Sequence, residues 1–352
     1  MWNYLISNIR KMFSGSSIRK MLSGDIAIDL GTANTLIWMK NQEVVLNEPS
    51  IVARDKLNNR IIAVGKEAKE MLGRTHSGIE TIRPLRDGVI ADYKMADAMI
   101  RGFIRKLNMS RIARPRIVIC IPSGRTDVEQ RAVKESAEHA NASEVYLIEE
   151  PMAAAIGIGI EVNQPVGNMV VDIGGGTTEI AVISLNGIGA LETINIAGDE
   201  QTESIVQWFK DHHKLAIGER TAEMIKCTVG SAVRTSGKSI AVKGLDLITG
   251  IPKTVQVSSD EVRQALSESI YQITAAIKRA LDKTPPEHAS DLIDFGIIMT
   301  GGGAQLKGLD EHIKNKTGLP VHVAEDPCYS VVKGTGIVLD NLKKYQNVLI
   351  QP

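Results

Sequence analysis

One short pattern occurs twice in this chain, and it restricts the fold more than any other feature of the sequence. In each copy an apolar run ends in an aspartate, a glycine turn with a threonine follows, and a second β-prone run begins. The copies lie at residues 29–34 and 172–179. An internal repeat of this kind predicts two similar halves that face each other.

The chemistry of these turns predicts a polyphosphate ligand. Consecutive backbone N–H groups in a glycine-rich turn form a concave site for anions, and threonine hydroxyls add donors. Asp29 and Asp172 end the two preceding strands. Their charges repel phosphate, but they suit a hydrated Mg²⁺ that bridges phosphate oxygens. With a third glycine turn after the apolar run at residues 296–300, the sequence predicts ATP and Mg²⁺ between two halves.

Two other glycine motifs are excluded by their context. The triple-glycine turns lack the last glycine of a dinucleotide fingerprint, since Glu179 and Leu306 stand at the sixth positions. Residues 232–239 resemble a loose Walker A motif. A P-loop runs from a strand into a helix, whereas here a helix is predicted before the segment and a strand after it. We interpret this match as chance.

Hydrolysis of ATP requires a group that orients the attacking water. Glu149 and Glu150 follow the strand predicted at residues 145–148, and Pro151 begins the next helix. A carboxylate at the mouth of an α/β sheet is placed to hold that water. The alternative is that both glutamates complement the dipole of the helix. Their position alone does not decide between the two.

Composition narrows the class of protein. The 352 residues predict two domains or one bilobed unit, and the alternating strands and helices predict an α/β fold. Lys plus Arg and Asp plus Glu both number 41, so no overall charge favours nucleic acid as a partner. Three scattered cysteines predict a reducing compartment and no structural metal. Aromatic residues make up 4%, which favours parallel strands under helices over a β-sandwich.

Helical periodicity predicts several element boundaries that the structure tests. Residues 260–281 form a long amphipathic helix with Ser259 as its N-cap. Further helices are predicted at residues 200–213, 221–233 and 306–317, and a polar loop at residues 54–60.

The first 20 residues have the pattern of an amphipathic helix. One stripe consists of apolar side chains: Trp2, Leu5, Ile6, Ile9, Met12 and Phe13. The segment is too short and too polar to span a bilayer. Aromatic residues on one face with Arg10 and Lys11 on the other predict a helix lying in the membrane interface. The alternative is a helix packed on the surface of the protein itself.

Several of these motifs occur together in one known family. The chain resembles the MreB family of bacterial actins from about residue 24 to residue 338, in the family's motif order. The motifs are DLGTAN at residue 29, LIEEPMAAAIG at 147, VDIGGGTTE at 171, IAGDE at 196, GERTAE at 218 and MTGGG at 299. The resemblance implies an actin-like ATPase fold of two duplicated ribonuclease-H-like domains around a nucleotide cleft, each with a small subdomain.

The resemblance also implies domain boundaries. Residues 1–23 are a membrane-binding helix and linker, and residues 24–150 with 325–352 form the first domain. Residues 151–324 form the second domain, and the small subdomains lie at about residues 43–77 and 195–255.

Functional residues carry over position by position. Glu150 resembles the water-positioning residue, with Thr177 as a second catalytic candidate, and Asp29 and Asp172 resemble the Mg²⁺-organising aspartates. The residues that resemble nucleotide-binding positions are Gly31, Thr32, Ala33, Asn34, Gly174, Gly175, Gly176, Thr177, Glu223, Lys226, Gly301, Gly302, Gly303 and Ala304. In this family a loop of the first domain touches the membrane, and Met109 and Ile112 occupy its place. Arg111 and Arg114 make this loop basic, which gives the N-terminal helix more of the membrane binding.

The family's biology supplies expected partners. It implies head-to-tail protofilaments of this chain, paired at the inner face of the cytoplasmic membrane, that guide lateral cell-wall synthesis with RodZ, MreC and MreD and maintain rod shape. Three alternatives stay open: a sugar kinase, a chaperone ATPase lobe, and a nucleotide-binding scaffold without turnover. A kinase would need a catalytic aspartate base and a chaperone a peptide-binding domain, and neither stands out in the sequence.

Overall fold

The computed structural model describes residues 24–109, 114–235 and 237–350. The strands are β1 (Ile26–Leu30), β2 (Asn34–Met39), β3 (Glu43–Pro49), β4 (Val52–Asp55), β5 (Ile61–Val64), β6 (Ile79–Ile82), β7 (Leu85–Arg86), β8 (Val89–Ile90), β9 (Arg116–Ile121), β10 (Glu144–Glu149), β11 (Asn168–Ile173), β12 (Thr178–Ser184), β13 (Gly187–Ile194), β14 (Leu215–Ala216), β15 (Ser239–Asp246), β16 (Pro252–Ser258), β17 (Ile297–Thr300) and β18 (Val321–Val323). The α-helices are α1 (Lys66–Met71), α2 (Tyr93–Lys106), α3 (Asp127–His139), α4 (Glu150–Gly157), α5 (Gly198–Trp208), α6 (Glu219–Val229), α7 (Ser259–Lys283), α8 (Pro286–Phe295), α9 (Leu309–Thr317) and α10 (Ser330–Asp340).

Two five-stranded sheets share one topology. Their strand orders are β10-β9-β1-β2-β3 and β18-β17-β11-β12-β13. In each sheet three parallel strands continue into two antiparallel ones, so β1 corresponds to β11 and β2 to β12. The duplication that the glycine pattern predicts is therefore a duplication of the whole sheet. The expected parallel strands are present, and each repeated pattern lies on the hairpin where the sheet becomes antiparallel.

Each sheet carries an insertion at the same point of its topology. The small sheet β5-β4-β6 lies between β3 and β9 in sequence, and β14-β15-β16 lies between β13 and β17. We call the two halves the first and second domain after their large sheets. The residue boundaries drawn from the sequence stay a prediction.

Two equivalent helices fill the space between the large sheets. α4 follows β10 and α10 follows β18, and both pack in one core with Val118 of the first sheet and Val170 of the second. The helices cross so closely that a methyl group on Gly334 would overlap the carbonyl oxygen of Ala153, and one on Gly157 would overlap that of Ser330. Only glycine permits such a close approach of two backbones.

Several predicted boundaries are wrong in detail. The N-cap of α7 is Ser258, whose hydroxyl accepts from the backbone N–H of Glu261, so Ser259 is the first residue of the helix. Ser259 instead donates its hydroxyl to the carbonyl of Val229, at 2.6 Å. The predicted helix at residues 221–233 ends at Val229, and the one at 200–213 passes into a π-helical turn after Trp208.

Other segments differ more. β4 enters the predicted polar loop, because Arg54 and Asp55 pair with β6. The helix predicted from residue 306 begins at Leu309, after a 3₁₀ turn. Two further helices, α8 before the third glycine turn and α10 after it, were not predicted from the sequence. Within the part of the chain that the structure describes, no helix is long and apolar enough to cross a membrane.

Candidate functional site

The two phosphate loops face each other across the cleft between the domains. The turn of Gly31 to Ala33 joins β1 to β2, and that of Gly174 to Thr177 joins β11 to β12. A methyl group on Gly175 would come within 2.6 Å of Cβ of Ala33, and one on Gly176 within 3.0 Å of Thr32 Cγ2. Glycine at 175 is therefore what allows the loops to meet. The structure brings these two sets of predicted residues together.

The aspartates at the strand ends form one electrostatic group. Asp172 is buried and Asp29 half-buried. Burial, and then the charge of Asp172, raises the pKa of Asp29 to about 7, and burial raises that of Asp172 to about 6. Low-dielectric surroundings disfavour the ionised form of both carboxyls. A bound divalent cation would favour ionisation of both.

The side chains around Asp29 include two carboxylates that suit a hard divalent cation and one thiol that does not. One ligand atom each of Asp29, Cys120 and Glu150 lies within 4.8 Å of the other two. Parallel pairing produces this cluster, since Asp29 of β1 lies opposite Cys120 of β9, which lies opposite Ile148 of β10. Carboxylate oxygens are the ligands that Mg²⁺ prefers. The Cys120 thiol is buried and contacts Asp29 Oδ1 at 3.5 Å.

The two adjacent glutamates differ in their surroundings. Burial raises the pKa of Glu150 well above its ordinary value, and the charges of Glu179, Asp29 and Asp172 raise it further. Burial also raises the pKa of Glu149, but Ser123 and Gly124 oppose that effect. Glu150 therefore belongs to the carboxylate group of the cleft, whereas Glu149 interacts with the loop after β9. This arrangement favours Glu150 as the water-positioning residue.

One site residue escaped the sequence analysis, which assigned Glu179 no role. Glu179 is 1% exposed, although it lies in β12, whose other central residues are apolar. Its Oε1 accepts a 2.8 Å bond from the backbone N–H of Ser123, in the other domain. Its Oε2 is buried without a hydrogen-bond partner among the described residues, and burial is the main cause that raises its pKa to about 8. The sequence signal that could have identified Glu179 is a single charged residue in an otherwise apolar strand directly after a phosphate loop.

The residues assigned to adenosine connect to the second phosphate loop. Lys226 Nζ donates to the carbonyl of Gly198 at 2.6 Å and is paired with Glu223 at 2.7 Å. The backbone N–H of Gly198 in turn donates to the carbonyl of Gly174 at 3.2 Å. The third glycine turn lies beside the same loop, since a methyl group on Gly301 would overlap Asp172 Oδ1. Thr177, the second catalytic candidate, is buried at the end of the loop.

The predicted membrane residues are placed only in part. Trp2, Leu5, Ile6, Ile9, Met12, Phe13 and Ile112 lie outside the described residues. Met109 is half-buried against the core of the first domain. Its sulfur would lie 3.5 Å from a methyl group on Gly24, the first described residue. Gly24 and Met109, the described residues that flank the N-terminal segment and the loop at residues 110–113, are therefore neighbours.

The Walker-like segment has the context that excludes a P-loop. It follows α6 and precedes β15, so the order is helix and then strand.

Comparisons with known proteins agree on one family. The family model described as "MreB/Mbl protein" matches residues 23–347. The chain is 50% identical to the cell shape-determining protein Mbl of Bacillus subtilis (strain 168), over 92% of this chain and 98% of Mbl. It is 48% identical to the cell shape-determining protein MreB of Escherichia coli (strain K12), over 92% of this chain and 95% of MreB.

Solved structures give the same result for the fold. MreB 5 of Spiroplasma citri bound to AMPPNP superposes with a TM-score of 0.88 at 37% identity, over 92% of this chain and 97% of that one. The same protein was also solved bound to ADP. A chain of a MamK double helical filament superposes with a TM-score of 0.76 at 20% identity, over 90% of this chain and 99% of that one, which bears on the fold alone.

Proposed function

Because this chain belongs to the MreB/Mbl family, we propose that it is an actin-like ATPase that assembles into membrane-associated filaments and determines cell shape. The single observation that carries the proposal is the contact between the two phosphate loops, with Asp29, Glu150 and Asp172 grouped beside them. This arrangement suits a triphosphate held by backbone N–H groups from both domains. The related MreB 5 was solved with AMPPNP and with ADP, which supports an adenine nucleotide as the ligand.

In the proposed mechanism the chain's own residues position the reactants. Thr32 and Thr177 offer hydroxyl donors to the phosphate oxygens, and Glu150 holds and orients the attacking water. Asp29 and Asp172 would hold Mg²⁺, which would neutralise charge on the phosphate oxygens. Glu223 and Lys226 on α6, together with Gly301 to Ala304, would line the adenosine site.

Self-association is the proposed output of the ATPase cycle. Head-to-tail contacts between copies of the chain do not close, so they generate filaments. We propose paired protofilaments on the inner face of the cytoplasmic membrane, held there by the N-terminal helix, that organise lateral cell-wall synthesis with RodZ, MreC and MreD. Gly24 and Met109 flank the N-terminal segment and the loop, and their proximity supports a single membrane-facing surface.

Phosphate release and polymer formation test the proposal together. The full chain with Mg·ATP is expected to release phosphate and to pellet as filaments that negative-stain electron microscopy resolves. Omitting nucleotide or chelating Mg²⁺ with EDTA is expected to stop phosphate release. A chain that binds and hydrolyses ATP but forms no polymer with or without lipid would overturn the filament part of the proposal and leave a non-polymerising ATPase.

A further inference from the structure

Arg83 lies at the rim of the cleft and contacts the opposite domain. It follows β6 in the first domain, and its Nη1 lies 3.3 Å from Asp199 Oδ1 at the start of α5. Its Nη2 contacts Glu219 Oε1, at the start of α6. One guanidinium group thus bridges two carboxylates of the second domain. A planar guanidinium can satisfy two such partners at once, whereas a lysine ammonium is a point charge.

Both partners of Arg83 belong to elements of the nucleotide site. The backbone N–H of Asp199 donates to the carbonyl of Gly175 at 2.7 Å, which ties the start of α5 to the second phosphate loop. Glu219 begins the helix that carries Glu223 and Lys226. An interaction with Asp199 and Glu219 therefore acts directly on the positions of a phosphate loop and of the adenosine helix.

The segment that carries Arg83 also contacts the first phosphate loop. Five residues after Arg83, the backbone N–H of Gly88 donates to Thr32 Oγ1 at 3.2 Å. A methyl group on Gly176 would come within 3.0 Å of the backbone nitrogen of Asp87. The segment from Arg83 to Gly88 thus touches both phosphate loops, and Arg83 is the point at which it forms ion pairs across the cleft.

Without Arg83, two carboxylates would remain close together. Burial and the charge of Glu219 raise the pKa of Asp199, whereas the charge of Arg83 lowers it. Loss of Arg83 would remove the link between the first domain and the starts of α5 and α6. Asp199 and Glu219 would also repel each other, and a cleft without this link would open more often.

We propose that Arg83 is a positioning residue that holds the two domains closed over the bound nucleotide and so slows its release. The proposal rests on the proposed function, because it presupposes that the cleft binds nucleotide. Exposed ion pairs contribute little to folding stability, and Arg83, Asp199 and Glu219 keep about 29%, 35% and 45% of their side-chain surface exposed. The effect is therefore expected in the rate of release rather than in the stability of the protein.

The test measures dissociation of a fluorescent ATP analogue from the full chain by stopped flow, after mixing with excess unlabelled ATP. Arg83→Ala is expected to release the analogue about fivefold faster, because a partly exposed ion pair contributes up to about 1 kcal/mol to the closed state. Arg83→Lys should release it at an intermediate rate. Arg86→Ala is the matched control, because Arg86 is an exposed arginine in the same segment.

A double-mutant cycle separates an ion pair from a merely structural role. Glu219→Gln alone should also accelerate release, and the double variant Arg83→Ala with Glu219→Gln should release the analogue no more than about twofold faster than Arg83→Ala alone. Thermal unfolding without nucleotide should be the same for all variants that enter the comparison. If Arg83→Ala does not fold, Glu219→Gln and Asp199→Asn provide the same comparison from the other domain.

The outcomes distinguish the two proposals. A parent chain that does not bind the analogue overturns the proposed function, and the role of Arg83 with it. A parent that binds, with Arg83→Ala and Arg86→Ala releasing at the parent's rate, overturns only the role of Arg83. Effects of Arg83→Ala and Glu219→Gln that add fully in the double variant also overturn the ion-pair role.

Discussion

At the scale of single residues, two adjacent glutamates have different predicted roles. Glu150 faces the carboxylates of the cleft, whereas Glu149 interacts with the loop after β9. Glu150→Gln is expected to lower the rate of phosphate release at least about 100-fold, because the attacking water loses its orienting base. Nucleotide affinity should hold or increase, since one of several mutually repelling carboxylates becomes neutral. A phosphate-release assay and a nucleotide-binding titration measure the two effects.

The matched control is Glu149→Gln, which removes the neighbouring carboxylate and should keep most of the rate. Undiminished release in Glu150→Gln would exclude Glu150 from the proposed role. Equal losses in both variants would instead favour the alternative that the pair acts through the dipole of α4.

The buried carboxyl of Glu179 should make the stability of the protein depend on pH when nucleotide and Mg²⁺ are absent. Its pKa is about 8 in the folded chain, against an ordinary value of 4.5. Between these values the folded state binds more protons than the unfolded state, so its contribution falls as pH rises from about 4.5 to 8. Glu179→Gln should therefore stabilise the chain by on the order of 1 kcal/mol at pH 8 and have little effect at pH 5.

Thermal unfolding in EDTA at both pH values measures this difference. Asp29, Asp172 and Glu150 have raised pKa values as well, so the parent chain also loses stability with pH through them. The difference between parent and variant reports Glu179 together with the part of the raised Glu150 pKa that the charge of Glu179 causes. A variant that is destabilised equally at pH 5 and pH 8 would contradict the prediction and point to a purely steric role.

At the scale of elements, the crossing of α4 and α10 joins the two domains. Gly334→Ala would normally favour a helix by up to about 1 kcal/mol. Here the added methyl group would overlap the carbonyl oxygen of Ala153, and forced overpacking costs about 1–3 kcal/mol or more. The cost of the overlap exceeds the gain in helix propensity, so the variant should unfold at a lower denaturant concentration than the parent. Gly187→Ala is the control, because the nearest atom there is 3.7 Å away.

The same crossing illustrates which elements the sequence could predict. The repeated Asp-Gly-Thr pattern predicted both hairpins, since a strand ending in aspartate and a glycine turn are local signals. α10 was not predicted, because Gly334 and Gly336 indicate a turn locally and are explained only by packing against α4 and Trp38. Glu179 and Arg83 were missed for a related reason. Their partners lie 56 residues away for Glu179 and 116 and 136 residues away for Arg83, and no spacing rule covers such distances.

At the scale of the whole molecule, the proposed membrane attachment involves residues 1–23 and residues 110–113. Gly24 and Met109, the described residues next to these two segments, are neighbours. Apolar side chains in the interface and basic ones near anionic headgroups act additively when they share a surface. Binding should therefore require anionic lipid and weaken as salt rises.

Deleting residues 1–20 is expected to abolish most co-sedimentation with anionic vesicles while polymers still form in solution. Ile112→Asp should reduce vesicle binding less, because Arg111 and Arg114 keep the loop basic. Neutral vesicles serve as the lipid control, and electron microscopy of the truncated chain with Mg·ATP verifies its assembly. Unchanged vesicle binding after the deletion would assign the N-terminal segment to the surface of the protein itself and leave attachment to the loop. Loss of both vesicle binding and polymers would instead mean that the segment supports assembly, and filament formation and attachment could then not be separated in this chain.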